Sequence, residues 1–277
     1  MFDFLAPQRM TEVVDIGANP IGSTPPYASM LSAGLCRVTG FEPHEEAFLE
    51  LQQKKGPHEQ YLPYAVGDGE MHNLKIYTAS VMTSLFEPNL ASFELFDYLR
   101  PFSEVARRVP IKTHRLDDIA EIKHIDFLKI DIQGGELAAF KNGVNQLAQA
   151  VVVQAEVSFV PLYIGQPGIG HIDLEMRKQG FIPHCFASMD KRPIAPCMVN
   201  NDPHQAVNQL LEADIVYVRD FSHPELLSDE QLKQMALIVQ QCYGSFDLAM
   251  RCVMILEQRQ ALKPGALQEF VEILSAK

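Results

Sequence analysis

The stretch Ile125-Asp126-Phe127-Leu128-Lys129-Ile130-Asp131-Ile132-Gln133-Gly134-Gly135-Glu136-Leu137 constrains the fold more than any other part of the chain. An apolar run of strand length ends at Asp131, a polar and glycine turn follows, and residues 136–141 have helix-forming composition. Strand, turn and helix in this order build an open α/β sheet, where ligands occupy the crevice beyond the carboxyl ends of the strands. A carboxylate at that point, beside glycines that let a ligand approach the backbone, is a site signature. The first strand supplies its companion, Val13-Val14-Asp15-Ile16-Gly17-Ala18-Asn19, again an apolar run ending in an acid and a glycine turn. Two such edges in one domain predict a bound small molecule with chemistry beside it.

Strand-like runs alternate with helical patterns along much of the chain, which predicts βαβ units and a mainly parallel sheet. Strands are expected at 11–16, 36–41, 60–66, 126–132, 150–157, 181–187 and 214–218, with crossover helices at 26–34 and 43–55. Residues 71–116 break the alternation. Short alternating stretches at 74–78 and 109–114, around a polar loop and the aromatic segment 93–102, predict an antiparallel insertion overhanging the sheet edge. After Val218 the pattern turns helical, over 226–243, 246–259 and 267–274, and Ser228 with Gln231 three residues later has the spacing of a capping box. The expected division is a domain over 1–220, carrying the insertion 71–116, and a helical C-terminal extension over 221–277. That extension is expected to pack on the domain or to offer a surface for a homo-oligomer.

The formal net charge of −12 argues against a nucleic-acid partner, because phosphate-backbone binding depends on a basic surface. No window reaches the roughly 18 apolar residues of a membrane-spanning helix. Met1-Phe2-Asp3-Phe4 lacks the basic start of a secretory signal. The five cysteines are odd in number and lack a C-x-x-C, so reduced thiols in a cytoplasmic protein are expected, without a metal site.

Three strand ends carry the candidate chemistry. Residues 17–22 have the spacing of G-x-G-x-x-G with Asn19 in the middle, a residue that tolerates the left-handed conformation. The second strand ends in Glu42-Pro43, placing an acid where it can accept both hydroxyls of a ribose. The bland alternative for Glu42 is a carboxylate at a helix N-terminus. The third predicted strand ends Ala65-Val66-Gly67-Asp68, where Asp68 either accepts from an adenine amino group or is a plain turn residue.

Motif by motif, the chain resembles a class I methyltransferase of the FkbM family. The matching features are Asp15 to Asn19, Phe41-Glu42-Pro43, Ala65 to Asp68, Leu116-Asp117-Asp118 and, most specific, the block from Asp126 to Glu136. The similarity covers about residues 11 to 220. It implies a Rossmann-like α/β sheet of seven mostly parallel strands with a reversed last strand and helices on both faces. It also implies S-adenosylmethionine as cofactor, and methyl transfer to a hydroxyl of a sugar, glycan or secondary metabolite. The family turn reads Asp-x-Gly-Ala-Asn-x-Gly; here Pro20 adds a residue before Gly22, removing a backbone donor and stiffening the turn. Asp15, Gly17, Asn19, Glu42, Asp68 and Asp131 are the expected cofactor-binding residues.

Methyl transfer to a hydroxyl requires in-line positioning and a general base. Asp131 is the first candidate, as base or as partner of the cofactor's amino group. Glu156, a charge in the apolar strand 150–157, is the second, since a buried charge is costly unless used or paired. His171, after the loop that leaves this strand, is a third. Glu136 is at least as well read as a carboxylate satisfying a helix N-terminus. Ser84 and Thr83 in the insertion either touch ligand or cap a turn, and the aromatics Phe86, Phe93, Phe96, Tyr98, Phe102 and Tyr163 fit a small core better than an acceptor platform. Two rivals share the sheet: a nicotinamide-dependent oxidoreductase or epimerase, which would want a fuller glycine motif, and a non-catalytic binding protein.

Overall fold

Valine- and isoleucine-rich runs form the central strands and amphipathic runs the helices of the structure, a computed structural model that describes residues 1–19, 24–202 and 205–275. The Pro20 and Gly22 positions lie outside the described residues. A short helix, α1 (Phe2–Leu5), leads into β1 (Thr11–Ile16), followed by α2 (Ala28–Ser32), β2 (Cys36–Phe41), α3 (Glu45–Lys54) and β3 (Glu59–Leu62). Next come β4 (Ala65–Val66), β5 (Met71–Tyr77), α4 (Leu90–Glu94), β6 (Val105–His114) and β7 (Phe127–Ile130). The chain continues through α5 (Glu136–Lys141), α6 (Val144–Leu147), β8 (Val152–Ser158), α7 (Ile169–Lys178), β9 (Phe181–Arg192) and β10 (Gln209–Arg219). It ends in α8 (Asp229–Tyr243), α9 (Phe246–Gln258) and α10 (Ala266–Ser275).

Seven strands pair in the order β3-β2-β1-β7-β8-β10-β9. β3, β2, β1, β7 and β8 are parallel, and β10 runs antiparallel to both β8 and β9. The last strand is thus reversed, as expected, and it is inserted between its predecessors. The expected strand 60–66 is two strands. Pro63 cannot donate to a ladder, so β3 stops at Leu62 and β4 joins a separate three-stranded sheet, β4-β6-β5. In that sheet β5 and β6 form the antiparallel pair predicted for the insertion.

Register and pleat give the main sheet two unlike faces. On one face Val13, Phe127, Val152 and Val216 share a core with Leu232, Met235, Ile238 and Val239 of α8, and with α9 and α10. Buried Gln234 joins this contact by accepting from the Thr11 hydroxyl at 2.7 Å. The helical extension is therefore built into the domain core. On the other face Val14, Ile16, Leu128, Ile130 and Val153 pack with Phe140 of α5 and with Ile172 and Met176 of α7. The insertion builds a small core around Tyr77, Phe93 and Phe96 with Tyr163 from the loop after β8, and Phe86 and Tyr98 pack against it, while Phe102 is exposed. No helix among the described residues is long and apolar enough to cross a membrane.

Candidate active site

Toward the carboxyl ends of the strands, the face that carries α8 turns from apolar to polar. The register sets Asp15 beside Lys129 and Lys129 beside Gln154, a row across β1, β7 and β8. Further along, Glu156 faces Asp214 and Asp214 faces Ser188. Paired positions project to one side of a sheet, so these groups gather at one edge. A cavity of about 1010 Å³ opens there. It is lined by Asp15, Gly17, Asn19 and Glu42 at one end and by Gln154, Asp214 and Ser188 at the other, with Lys129, Asp131 and Gln133 between. Ser80, Thr83 and Leu85 of the insertion also line it, and so does Tyr243 from the end of α8.

Gly17 fixes the central approach. Its φ is +84°, and a Cβ there would lie 1.9 Å from the Asp131 carbonyl oxygen, so only glycine lets the ends of β1 and β7 meet. The Gly17 and Ala18 N–H groups both donate to the Phe41 carbonyl, at 3.0 and 3.1 Å. They tie the turn to β2. Asp15 is buried and held by Lys129 at 3.3 Å and by the Tyr27 hydroxyl at 2.5 Å. Burial pulls the Lys129 ammonium down, but the Asp15 and Asp131 carboxylates outweigh it and its pKa is raised. Lys129 therefore stays charged among the acids; its signal in the sequence is the one Glu156 carries, a charge in an apolar strand.

Glu42 directly follows β2, buried, and accepts from the His44 N–H at 2.7 Å. Burial pushes its carboxyl up to about 7. Helix α3 starts at Glu45 with His44 as its N-cap, so Pro43 precedes the helix. Glu136 is buried in the first turn of α5, accepting from Ile132 N–H at 2.9 Å and Gly134 N–H at 3.3 Å, and burial pushes it up to about 7. It holds the turn that leads into α5 rather than capping the helix N-terminus, which carries no side-chain cap. Ser84 donates to the Gln133 carbonyl at 2.6 Å, fastening the insertion over the end of β7.

Three expected site residues are not brought to the cavity. The Asp68 carboxylate is spent on a turn, accepting from Glu70 N–H at 3.0 Å and from the Thr113 hydroxyl at 3.0 Å, with His72 at 2.8 Å. β4 leaves the main sheet, and although Ala65 and Val66 still line the cavity, Asp68 beyond them does not. Glu156 lies on the expected face but behind Gln133, whose amide donates to both its oxygens at 3.0 and 2.9 Å. Burial, with Asp131 the next cause, pushes the Glu156 carboxyl well above the usual range. His171 is exposed, one position off the stripe by which Ile172, Glu175 and Met176 dock α7. Gln154, which accepts from the Tyr243 hydroxyl at 2.9 Å, went unremarked because the pairing joins residues 89 positions apart.

A seven-stranded sheet with one antiparallel insertion, an acid after β2 and a glycine turn after β1 define a Rossmann-like methyltransferase. The Methyltransferase FkbM domain matches residues 15–183, and the chain belongs to the FkbM methyltransferase family. Among solved structures it is similar to magnesium protoporphyrin IX methyltransferase from Synechocystis PCC 6803, solved with bound S-adenosylmethionine. The identity is 11%, the TM-score 0.40, and the match covers 76% of this chain and 71% of that one. Precorrin-6y C5,15-methyltransferase from Geobacter metallireducens GS-15 matches at 10% identity and TM-score 0.39, over 79% and 85% of the two chains. Likenesses this distant carry no argument about activity. No curated protein matches the chain.

The cofactor of the family is S-adenosylmethionine, and the residues present fit it. The cavity has room for a nucleoside with its amino-acid tail. Glu42 stands where a ribose can donate to it, and the Gly17–Asp131 contact is one that a Cβ would abolish.

Proposed function

We propose that this methyltransferase is O-directed, acting on a hydroxyl of a sugar, glycan or secondary metabolite. Bound S-adenosylmethionine supplies a methyl group on a sulfonium. One observation carries the reading: Asp131 presents a carboxylate at the middle of the cavity, between the nucleoside end and a polar end made by Gln154, Ser188 and Asp214. A hydroxyl held at the polar end can give its proton to Asp131 as its oxygen is methylated. Glu42 accepts from the ribose, Gly17 lets the cofactor's backbone neighbours close in, Asn19 lines the same end, and Lys129 donates to Asp15 beside them. Asp131 serves equally as an acceptor for the cofactor's ammonium group. The five free cysteines support a reducing, cytoplasmic setting.

The test is release of S-adenosylhomocysteine from S-adenosylmethionine with matched panels of hydroxyl and amine acceptors. Turnover with hydroxyl acceptors alone is expected, and Asp131→Asn should lower kcat by about a hundredfold or more. Near-normal turnover of that variant removes Asp131 as base. Methylation confined to amines overturns the O-directed reading.

A further inference from the structure

Gln133 lines the cavity with its backbone in the left-handed region, at φ 54°. That conformation is uncommon for a residue with a Cβ, and it persists where the surroundings over-determine it. Here they do. The Ser84 hydroxyl donates to its carbonyl at 2.6 Å, and the Tyr163 hydroxyl donates to its side-chain Oε1 at 2.7 Å. With Oε1 taken, the amide nitrogen faces two acids: Asp131 Oδ1 at 3.2 Å, and Glu156 Oε1 and Oε2 at 3.0 and 2.9 Å. An amide nitrogen has two hydrogens, so one reaches Asp131 and the other is shared across the Glu156 carboxyl group. The Tyr163 hydroxyl also lies 3.0 Å from the Met82 carbonyl, and the orientation with the amide nitrogen toward the acids is the one that gives both Asp131 and Glu156 a donor from Gln133.

We propose that Gln133 is a positioning residue, which ties Asp131 to Glu156 through a single amide and so keeps the Asp131 carboxylate presented to the bound cofactor. This rests on Asp131 being a cavity carboxylate of the methyltransferase site. Without the donor, Asp131, just past the end of β7, and Glu156, in the neighbouring β8, would lose the group that links them, and Asp131 would no longer be held in one orientation. Burial, then the neighbouring acids Asp131, Glu212, Glu136 and Asp214, push the Glu156 carboxyl well above its usual range. The side chain that reaches Gln133 from Tyr163 and the hydroxyl that reaches it from Ser84 both come from outside the main sheet, so the insertion and the loop after β8 together set where Asp131 points.

The experiment is a double-mutant cycle on S-adenosylhomocysteine affinity, read by isothermal titration with the full chain. Gln133→Met removes the donor at similar volume, Gln133→Glu replaces it by an acceptor, and Asp131→Asn removes the group that Gln133 is held to act through. Wild type should bind, and each Gln133 variant should lose about tenfold in affinity. In the Asp131→Asn background the same Gln133 substitutions should change affinity less than about twofold, because there is no carboxylate left to hold. Equal losses in both backgrounds would mean that Gln133 only shapes the cavity, and they overturn the proposal. So does an Asp131→Asn variant that binds as wild type does, or a Gln133→Glu variant without loss. Thermal unfolding of each variant separates misfolding from lost binding: if Gln133→Met does not fold, Gln133→Glu carries the cycle. A wild-type chain that binds neither S-adenosylhomocysteine nor S-adenosylmethionine would overturn the cofactor reading itself, an outcome distinct from additivity in the cycle.

Discussion

At the scale of single residues, the site is a set of carboxylates sorted by what surrounds them. Asp15 has a cation and a phenol as partners, Glu136 has backbone N–H groups, and Glu42 has one N–H and burial, which lifts it to about 7. That value has a measurable consequence. A ribose donating to Glu42 favours its ionised form, so the bound state holds fewer protons than the free one wherever free Glu42 is protonated. Cofactor affinity should therefore rise with pH up to about 7 and level off above it. Titration of S-adenosylhomocysteine at several pH values, in buffers of different ionisation enthalpy, should show proton release below pH 7. Glu42→Gln should bind more weakly and without this slope. An unchanged slope in that variant would assign the titration to another group. Asp131 and Glu42 were legible in the sequence because each follows an apolar run at the point where a strand must end. Lys129 was legible by a different sign, a charge inside an apolar strand, as Glu156 was. Gln133 and Gln154 were not, since an amide in a sequence does not reveal which distant acid or phenol it will meet.

Among the elements, those bounded by strong local signals lie where the sequence placed them. β1 and β2 match residue for residue, and α8 begins with the predicted capping box, Ser228 accepting from Gln231 N–H at 3.2 Å while Gln231 Oε1 accepts from Ser228 N–H at 3.0 Å. Removing that cap with Ser228→Ala should cost about 1 kcal/mol. Equilibrium urea unfolding at constant m-value checks it, and a variant as stable as wild type would show that packing alone holds the start of α8. The third strand was misread because local composition is strand-like on both sides of Pro63 and hides the change of sheet. His171 was misplaced for a related reason: the helix phase of α7 is set by which residues dock, and Ile172 and Met176 take the buried side.

For the whole molecule, the extension after β10 is part of the fold. α8 alone buries Leu232, Met235, Leu237, Ile238 and Val239, and each large apolar side chain so buried contributes about 1.5–3 kcal/mol relative to exposure. The sum rivals the roughly 5–15 kcal/mol that separates a folded domain from its unfolded chain. A chain ending at residue 220 should therefore fail to fold cooperatively, although the FkbM match ends at residue 183. Circular dichroism and thermal unfolding of that truncation test this. A cooperative transition near that of the full chain would make the extension a separate unit. The same helices reach the site: Tyr243, at the end of α8, lines the cavity and donates to Gln154.

The sequence by itself determined the sheet's core strands, the crevice where they end, the acids that stand there and the family to which the chain belongs. Each of these is written in short runs of neighbouring residues, where hydrophobic period, turn chemistry and charge all act locally. The tertiary structure decided the rest. It alone withdrew Asp68 and His171 from the cavity, screened Glu156 behind Gln133, and brought Tyr243 to the cavity wall. These outcomes depend on which sheet a strand joins, which face a helix docks and which side chains meet across the sheet. Such contacts join residues far apart in the chain, and they take shape only when the whole core is packed.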